Sequence, residues 1–272
     1  MSFASDVITI EQDGPIGTVW LDRPDKLNAM GKAFWTDLPL AMQAVGADQA
    51  VRVIIIAARG KAFTVGLDLT EFSDVSVGSG NSPAAKAQSA YREIKRMQQA
   101  FTAIADCQKP VIAAVHGYCL GGGIDLITAA DIRIAAKDAV FSVRETKLAI
   151  VADVGTLQRL PRILSPGQVA ELAYTGKDID AARAEKIGLV NDLYEDVDRL
   201  HKAARSLAEE IAANSPLVVQ GTKHILRANE GRTVEQALDY VALYNASHLQ
   251  SADLMEAIAA HIENRPPTFT GE

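Results

Sequence analysis

Lys109–Leu160 reads KPVIAAVHGYCLGGGIDLITAADIRIAAKDAVFSVRETKLAIVADVGTLQRL, and the order of residue types in it decides the kind of chain this is. Val111 to Val115, behind Lys109-Pro110, is a short β-branched and alanine run of the sort that forms a buried strand. It ends at His116-Gly117. Gly121-Gly122-Gly123, followed by Ile124, Leu126, Ile127 and Ala130, predicts a helix whose first turn carries no side chains. A ligand can then approach the free backbone N–H groups of that turn closely, which makes it a site for negative charge. Strand, glycine turn and helix in this order predict an α/β protein.

Three carboxylates follow in apolar surroundings. Asp125 falls in the first or second turn of the predicted helix, where the macrodipole favours an anion but every sequence neighbour is aliphatic. Phe141-Ser142-Val143-Arg144-Glu145 alternates with period two, which predicts a strand with Glu145 on the face of Phe141 and Val143. Asp153, in Ala149-Ile150-Val151-Ala152-Asp153-Val154-Gly155, is the third. Taken singly, each has an ordinary explanation. Asp125 reads as a structural buried acid, Glu145 as a partner of Arg144 or Lys147, and Asp153 as a helix N-cap ahead of Gly155-Thr156-Leu157. Taken together, desolvated carboxylates near one another have raised and separated pKa values, as proton transfer near neutral pH requires.

At these residues the chain resembles the crotonase (enoyl-CoA hydratase/isomerase) superfamily, and within it the delta-3,5-delta-2,4-dienoyl-CoA isomerases. The resemblance runs through LDRPDKLNAM, GKAFTVGLDL, HGYCLGGGIDL and RETKLAIVADVGTLQRLP. Hydratases of the superfamily carry Glu in place of Asp125 and a PGAGG-like turn in place of Ala152-Asp153-Val154-Gly155. The isomerases carry Asp, Glu and a further Asp, and Asp125, Glu145 and Asp153 match all three.

The resemblance implies a crotonase-like spiral of ββα units over residues 1–200 and a C-terminal α-helical trimerisation region over 201–272. It implies an enzyme of fatty acid β-oxidation that moves the double bonds of a 3,5-dienoyl-CoA to the 2,4-isomer. Glu145 would act at C2 and Asp153 at C6, with Asp125 tuning the pair. The backbone N–H groups of Leu67 and Gly122 would form the oxyanion hole for the thioester oxygen. Lys26, Leu27 and Ala29 would line the adenine end of coenzyme A, and Lys61, Val65, Gly66, Leu67, Asp68, Leu69 and Gly122 would complete the acyl-CoA site. No cofactor is expected, since coenzyme A is part of the substrate, and no metal, since the sequence has no His/Cys/acid cluster with ligand spacing. A homotrimer or dimer of trimers is implied.

Rival readings come from the same residues. One is hydration of a 2-enoyl thioester, or acyl-CoA binding without catalysis, on the same fold. The other is a thiol hydrolase, because Gly117-Tyr118-Cys119-Leu120-Gly121 fits G-x-C-x-G between strand and helix, with His201, His224, His248 and His261 downstream.

Composition narrows the classes further. With 272 residues, 48% of them hydrophobic, the chain can bury one large core with an appended element. A formal charge of −7 argues against nucleic acid or an anionic membrane as main partner, because both demand a concentrated positive field. No apolar run approaches the ~20 residues that span a bilayer. Cys107 and Cys119 sit in apolar segments and suit a reducing compartment. With no secretory pattern in MSFASDVITIEQDG and no peroxisomal tripeptide in TFTGE, the cytoplasm is expected.

Outward from the central stretch, Val7–Gln12 and Gly17–Leu21 predict a hairpin, Gly31–Val45 a helix bent or delayed by Pro39, and Val51–Ala58 a strand covered on both faces. Gly60 to Leu69 predicts a glycine turn into a helix, with Asp68 as cap. Val75–Pro83 predicts a loop, and Ala84–Asp106 a helix with Tyr91, Ile94, Met97, Phe101 and Ile104 on a packed stripe. Short helices at Pro166–Tyr174 and Ala181–Ile187, a strand at Leu189–Tyr194, and four helices from Val197 to Asn264 complete the chain.

Overall fold

The computed structural model describes residues 3–72 and 78–272, so the first part of the loop expected at Val75–Pro83 lies outside the described residues. The strands are β1 (Ile8–Asp13), β2 (Ile16–Leu21), β3 (Val53–Ala58), β4 (Val111–Val115), β5 (Tyr118–Leu120), β6 (Ile132–Ala136), β7 (Val140–Ser142), β8 (Ile179–Asp180) and β9 (Asp192–Tyr194). The helices are α1 (Lys32–Ala47), α2 (Leu69–Phe72), α3 (Pro83–Asp106), α4 (Gly122–Ala129), α5 (Thr156–Arg159), α6 (Pro166–Thr175), α7 (Ala181–Lys186), α8 (Val197–Ala212), α9 (Pro216–Ala228), α10 (Val234–His248) and α11 (Ala252–Glu263).

Two sheets hold these strands. The larger runs β1-β2-β3-β4-β6-β9, antiparallel only between β1 and β2, and the smaller runs β5-β7-β8. The chain lays β4 in the large sheet, crosses at Gly117 into β5 of the small sheet, and returns through α4 to β6; β7 then repeats the step. Each circuit adds one strand to each sheet, which is the spiral expected. Gly117 can make the corner because its φ is +56° and a Cβ there would lie 2.2 Å from the Lys61 carbonyl oxygen.

The parallel strands β3 and β4 are buried at every residue because both faces of the large sheet are covered. On one face α1 and α3 bring together Phe34, Trp35 and Phe101, with edge-on ring pairs at 5.1 and 5.5 Å. On the other, α8 presents Leu200, Ala204, Ala208 and Ala212 to Ile16, Ile55, Ile112 and Ile134. The small residues at every fourth position let this helix settle close to the sheet. Helices α10 and α11 leave Leu238, Leu243, Met255 and Ile262 exposed.

Three local expectations are corrected. Helix α1 runs unbroken through Pro39 and starts at Lys32. The strand expected as far as Glu145 stops at Ser142, whose hydroxyl donates to Gly176 O, and Glu145 instead opens a 3-10 turn, Glu145–Leu148, closed by left-handed Ala149. Alternation over five residues does not distinguish a strand end from a turn that keeps the same side inward. Tyr91 is 63% exposed, because the buried stripe of α3 begins only at Met97, with Ile94 partly covered.

Candidate active site

Backbone geometry builds the first half of the site. The Thr64 N–H donates to Tyr118 O at 2.8 Å and the Leu120 N–H to Thr64 O at 3.1 Å, so the segment after Lys61 lies against β5. A Cβ on Gly66, at φ +83°, would meet Leu120 O at 2.6 Å and Gly122 N at 3.3 Å, so 66–67 and 120–122 run backbone against backbone. Met30 N–H donates to Gly66 O and Asp68 N–H to Met30 O, which leaves the Leu67 N–H on the opposite side from Met30, without an acceptor among the described residues. Gly122 opens α4, and a first-turn N–H has no acceptor inside its own helix. Leu67 and Gly122 both line one cavity of about 590 Å³.

Asp68 does something other than meet that space. Its carboxylate accepts from Thr70 Oγ1 at 2.6 Å and from Arg23 Nη1 at 2.8 Å, and these bonds hold its pKa below the usual range. It caps α2 and anchors the loop. Val65, Leu67 and Leu69 line the cavity. Lys26, Leu27 and Ala29 lie on a surface turn that Asn28 ties down, its amide donating to Arg59 O and Ala62 O and its oxygen accepting from Arg23 N. Because a Cβ on Gly60 would touch Pro24, the turns bearing Lys26 and Lys61 are neighbours. Both lysines are exposed.

The acids complete the site. Glu145 and Asp153 both line the cavity, among Trp35, Ile94, Met97, Leu148, Ile150 and Val154. Burial pushes the Glu145 carboxyl up, the Asp153 charge adds to this, and Glu145 Oε2 has no hydrogen-bond partner. Burial also raises Asp153. The ordinary explanations for these two fail: Arg144 pairs with Asp178 at 2.5 Å, not with Glu145, and the cap of α5 is Gly155, with no side-chain bond from Asp153. The structure does not bring Asp125 to the cavity wall. It is fully buried behind it, with Oδ1 accepting the Thr156 N–H at 2.5 Å and Oδ2 unpartnered. Burial, and then the charge of Glu145, push its pKa up to about 7.

The thiol reading does not survive. Cys119 is fully buried beneath Gly123 and Thr64, and burial pushes its thiol well up, where a nucleophile needs an accessible thiolate. His201 sits against the rings of Trp20 and His116, and His224 bonds Tyr240 on the C-terminal helices.

Two residues escaped the sequence. Thr156 holds Asp125, and the Gln98 amide donates to Asp153 O at 2.7 Å. Gln98 had a faint signal, a polar residue beside Met97 on an otherwise apolar helix stripe.

The sequence pattern of the enoyl-CoA hydratase/isomerase family matches residues 11–272. The chain belongs to that family. Members it resembles include the peroxisomal Delta(3,5)-Delta(2,4)-dienoyl-CoA isomerase of Arabidopsis thaliana, 42% identical over 97% of this chain and 96% of that protein. The mitochondrial enzyme of the same name from Homo sapiens is also 42% identical, over 91% of this chain and 76% of that protein. A crystal structure of enoyl-CoA hydratase from Bacillus anthracis superposes with a TM-score of 0.89 at 29% identity, covering 98% of this chain and all of that one. The crotonase fold read from the sequence is thus the fold of this enoyl-CoA hydratase/isomerase family member.

The cytoplasmic expectation is corrected here: these relatives are peroxisomal and mitochondrial by name. Unpaired cysteines report redox environment and net charge reports solubility, whereas a compartment is specified by short receptor-read segments. Among the described residues of this family member, no helix is long and apolar enough to cross a membrane.

Proposed function

We propose that this chain isomerises 3,5-dienoyl-CoA to 2,4-dienoyl-CoA. Glu145 takes the proton from C2, Asp153 delivers one to C6, and the N–H groups of Leu67 and Gly122 hold the thioester oxygen while dienolate charge develops on it. A donor preorganised for that charge is typically worth ~3 kcal/mol of transition-state stabilisation. C2 and C6 are too far apart for one carboxylate to serve both, so the reaction needs two acids along one apolar cavity. The observation that carries the reading is that Glu145 and Asp153 share a cavity wall with Leu67 and Gly122, both with pKa raised by burial.

The names of the Arabidopsis and human relatives support the same substrate. Lys26, Leu27, Ala29 and Lys61 would meet the nucleotide end of coenzyme A, where exposed ammonium groups suit phosphate. The chain would work as a homotrimer or dimer of trimers through its C-terminal helices, and sedimentation velocity would read that mass.

Ultraviolet spectroscopy tests the reaction. Bringing both double bonds into conjugation with the thioester raises absorbance at longer wavelength when 3,5-dienoyl-CoA is supplied. If the enzyme instead removes the conjugated absorbance of a 2-enoyl-CoA and leaves the diene unchanged, it is a hydratase.

A further inference from the structure

Asp153 lies on a stretch of chain with few holds. From Val151 to Val154 no backbone group hydrogen-bonds to another backbone group among the described residues. The stretch is tied at its ends, where the Ile150 N–H donates to Glu145 O at 3.1 Å and the Thr156 N–H to Asp125 Oδ1 at 2.5 Å. Between them stand two side-chain bonds. One is long, 3.4 Å from Arg159 Nη1 to Val154 O, and the other is short, 2.7 Å from Gln98 Nε2 to Asp153 O. The Asp153 carboxylate has no side-chain partner among the described residues, so its aim is set by the main chain that carries it.

Gln98 reaches that main chain from α3, across 55 residues of sequence. Its Oε1 accepts from Lys95 Nζ at 2.9 Å, one turn back on the same helix. An ammonium only donates and a carbonyl only accepts, so a single orientation of the amide satisfies both ends. The neighbouring Met97 lines the acyl cavity, whereas Gln98 lines a second cavity of about 610 Å³ and meets the acid from behind. Glu145 is held by other means: left-handed Ala149 closes its 3-10 turn, and Thr146 Oγ1 donates to Ala173 O of α6. The two cavity acids are thus anchored by different elements.

We propose that Gln98 is a positioning residue for Asp153: its amide, oriented by Lys95, fixes the main chain from which the Asp153 carboxyl reaches C6, and leaves the chemistry at C2 to Glu145. The inference rests on the assignment of Glu145 and Asp153 to the two ends of the diene. A proton donor displaced by about 1 Å loses roughly 100-fold in rate, so a single missing hydrogen bond behind the acid is enough to be read in turnover.

Gln98→Met, assayed as the full chain with 3,5-dienoyl-CoA in deuterium oxide, tests this. Formation of the 2,4-dienoyl product should fall ~10- to 100-fold with KM little changed, while exchange of the C2 hydrogen for deuterium continues near the wild-type rate. Gln98→Glu keeps the length and the acceptor for Lys95 but, ionised at neutral pH, loses the donor. It should show the same split, and it serves if the Met variant fails to fold. Amide hydrogen exchange read by mass spectrometry should be faster over residues 150–156 in both variants and unchanged over 141–148. Product formation and C2 exchange falling in step, or neither falling, would overturn the proposal, as would wild-type protection of 150–156. A wild type that leaves the diene unchanged would instead overturn the assignment of the reaction, and the amide exchange would still decide whether Gln98 holds the turn.

Discussion

The Asp125 carboxyl accepts the Thr156 N–H at 2.5 Å through one oxygen, while its other oxygen is buried without a partner. One bond across 31 residues thus joins the first turn of α4 to the turn that carries Asp153. The single backbone donor does not repay the cost of burying a charge, so Asp125 holds its proton to about pH 7.

That proton gives a stability signature. In the unfolded chain Asp125 ionises near 3.8, in the folded chain near 7, so between those values the folded state binds more protons and stability falls as pH rises. The cost is absent below pH ~4 and complete above pH ~7. Asp125→Asn, which keeps an oxygen for Thr156, should therefore stabilise at pH 8 by ~2–4 kcal/mol relative to its effect at pH 4. Denaturant melts of both proteins at the two pH values read this directly. Equal differences at both would mean that Asp125 is ionised in the folded protein without penalty.

Gly122→Ala tests the backbone donors. The added Cβ would lie 2.8 Å from Met30 Sδ, the end of a flexible side chain, so the fold should survive with a modest loss of melting temperature. The donor at Gly122 would be displaced from the developing charge, and kcat should fall ~100-fold or more. Wild-type kcat would remove Gly122 from the oxyanion role.

Alkylation separates the two cysteines. Burial raises both thiols, but Cys107 is partly exposed whereas Cys119 is fully buried. Iodoacetamide should label Cys107, leave Cys119 unmodified by mass spectrometry, and spare turnover. Loss of activity tracking modification of Cys119 would revive the thiol mechanism.

How much of this was legible in the sequence depended on the range of the interaction involved. The β4–turn–α4 passage was readable because apolar runs and consecutive glycines act within a few residues. The packing of α8 against the second face of the sheet was not, since nothing in Val197–Ala212 states which surface covers its alanines. The alternation turns Glu145 inward but on a strand, because a 3-10 turn and a strand end share that period. The sequence does not separate Asp125 from the two cavity acids, because depth behind a wall is a tertiary property that no local pattern carries. Thr156 and Gln98 act through bonds spanning 31 and 55 residues, which the fold creates.

Asp153→Asn, assayed in deuterium oxide with 3,5-dienoyl-CoA, tests the division of labour between the two cavity acids. Glu145 should still exchange the C2 hydrogen of the bound substrate for deuterium, while formation of the 2,4-dienoyl product falls by ~100- to 10,000-fold because C6 has lost its proton donor. Product formation at the wild-type rate, or loss of C2 exchange together with product, would contradict the assignment of one acid to each end of the diene.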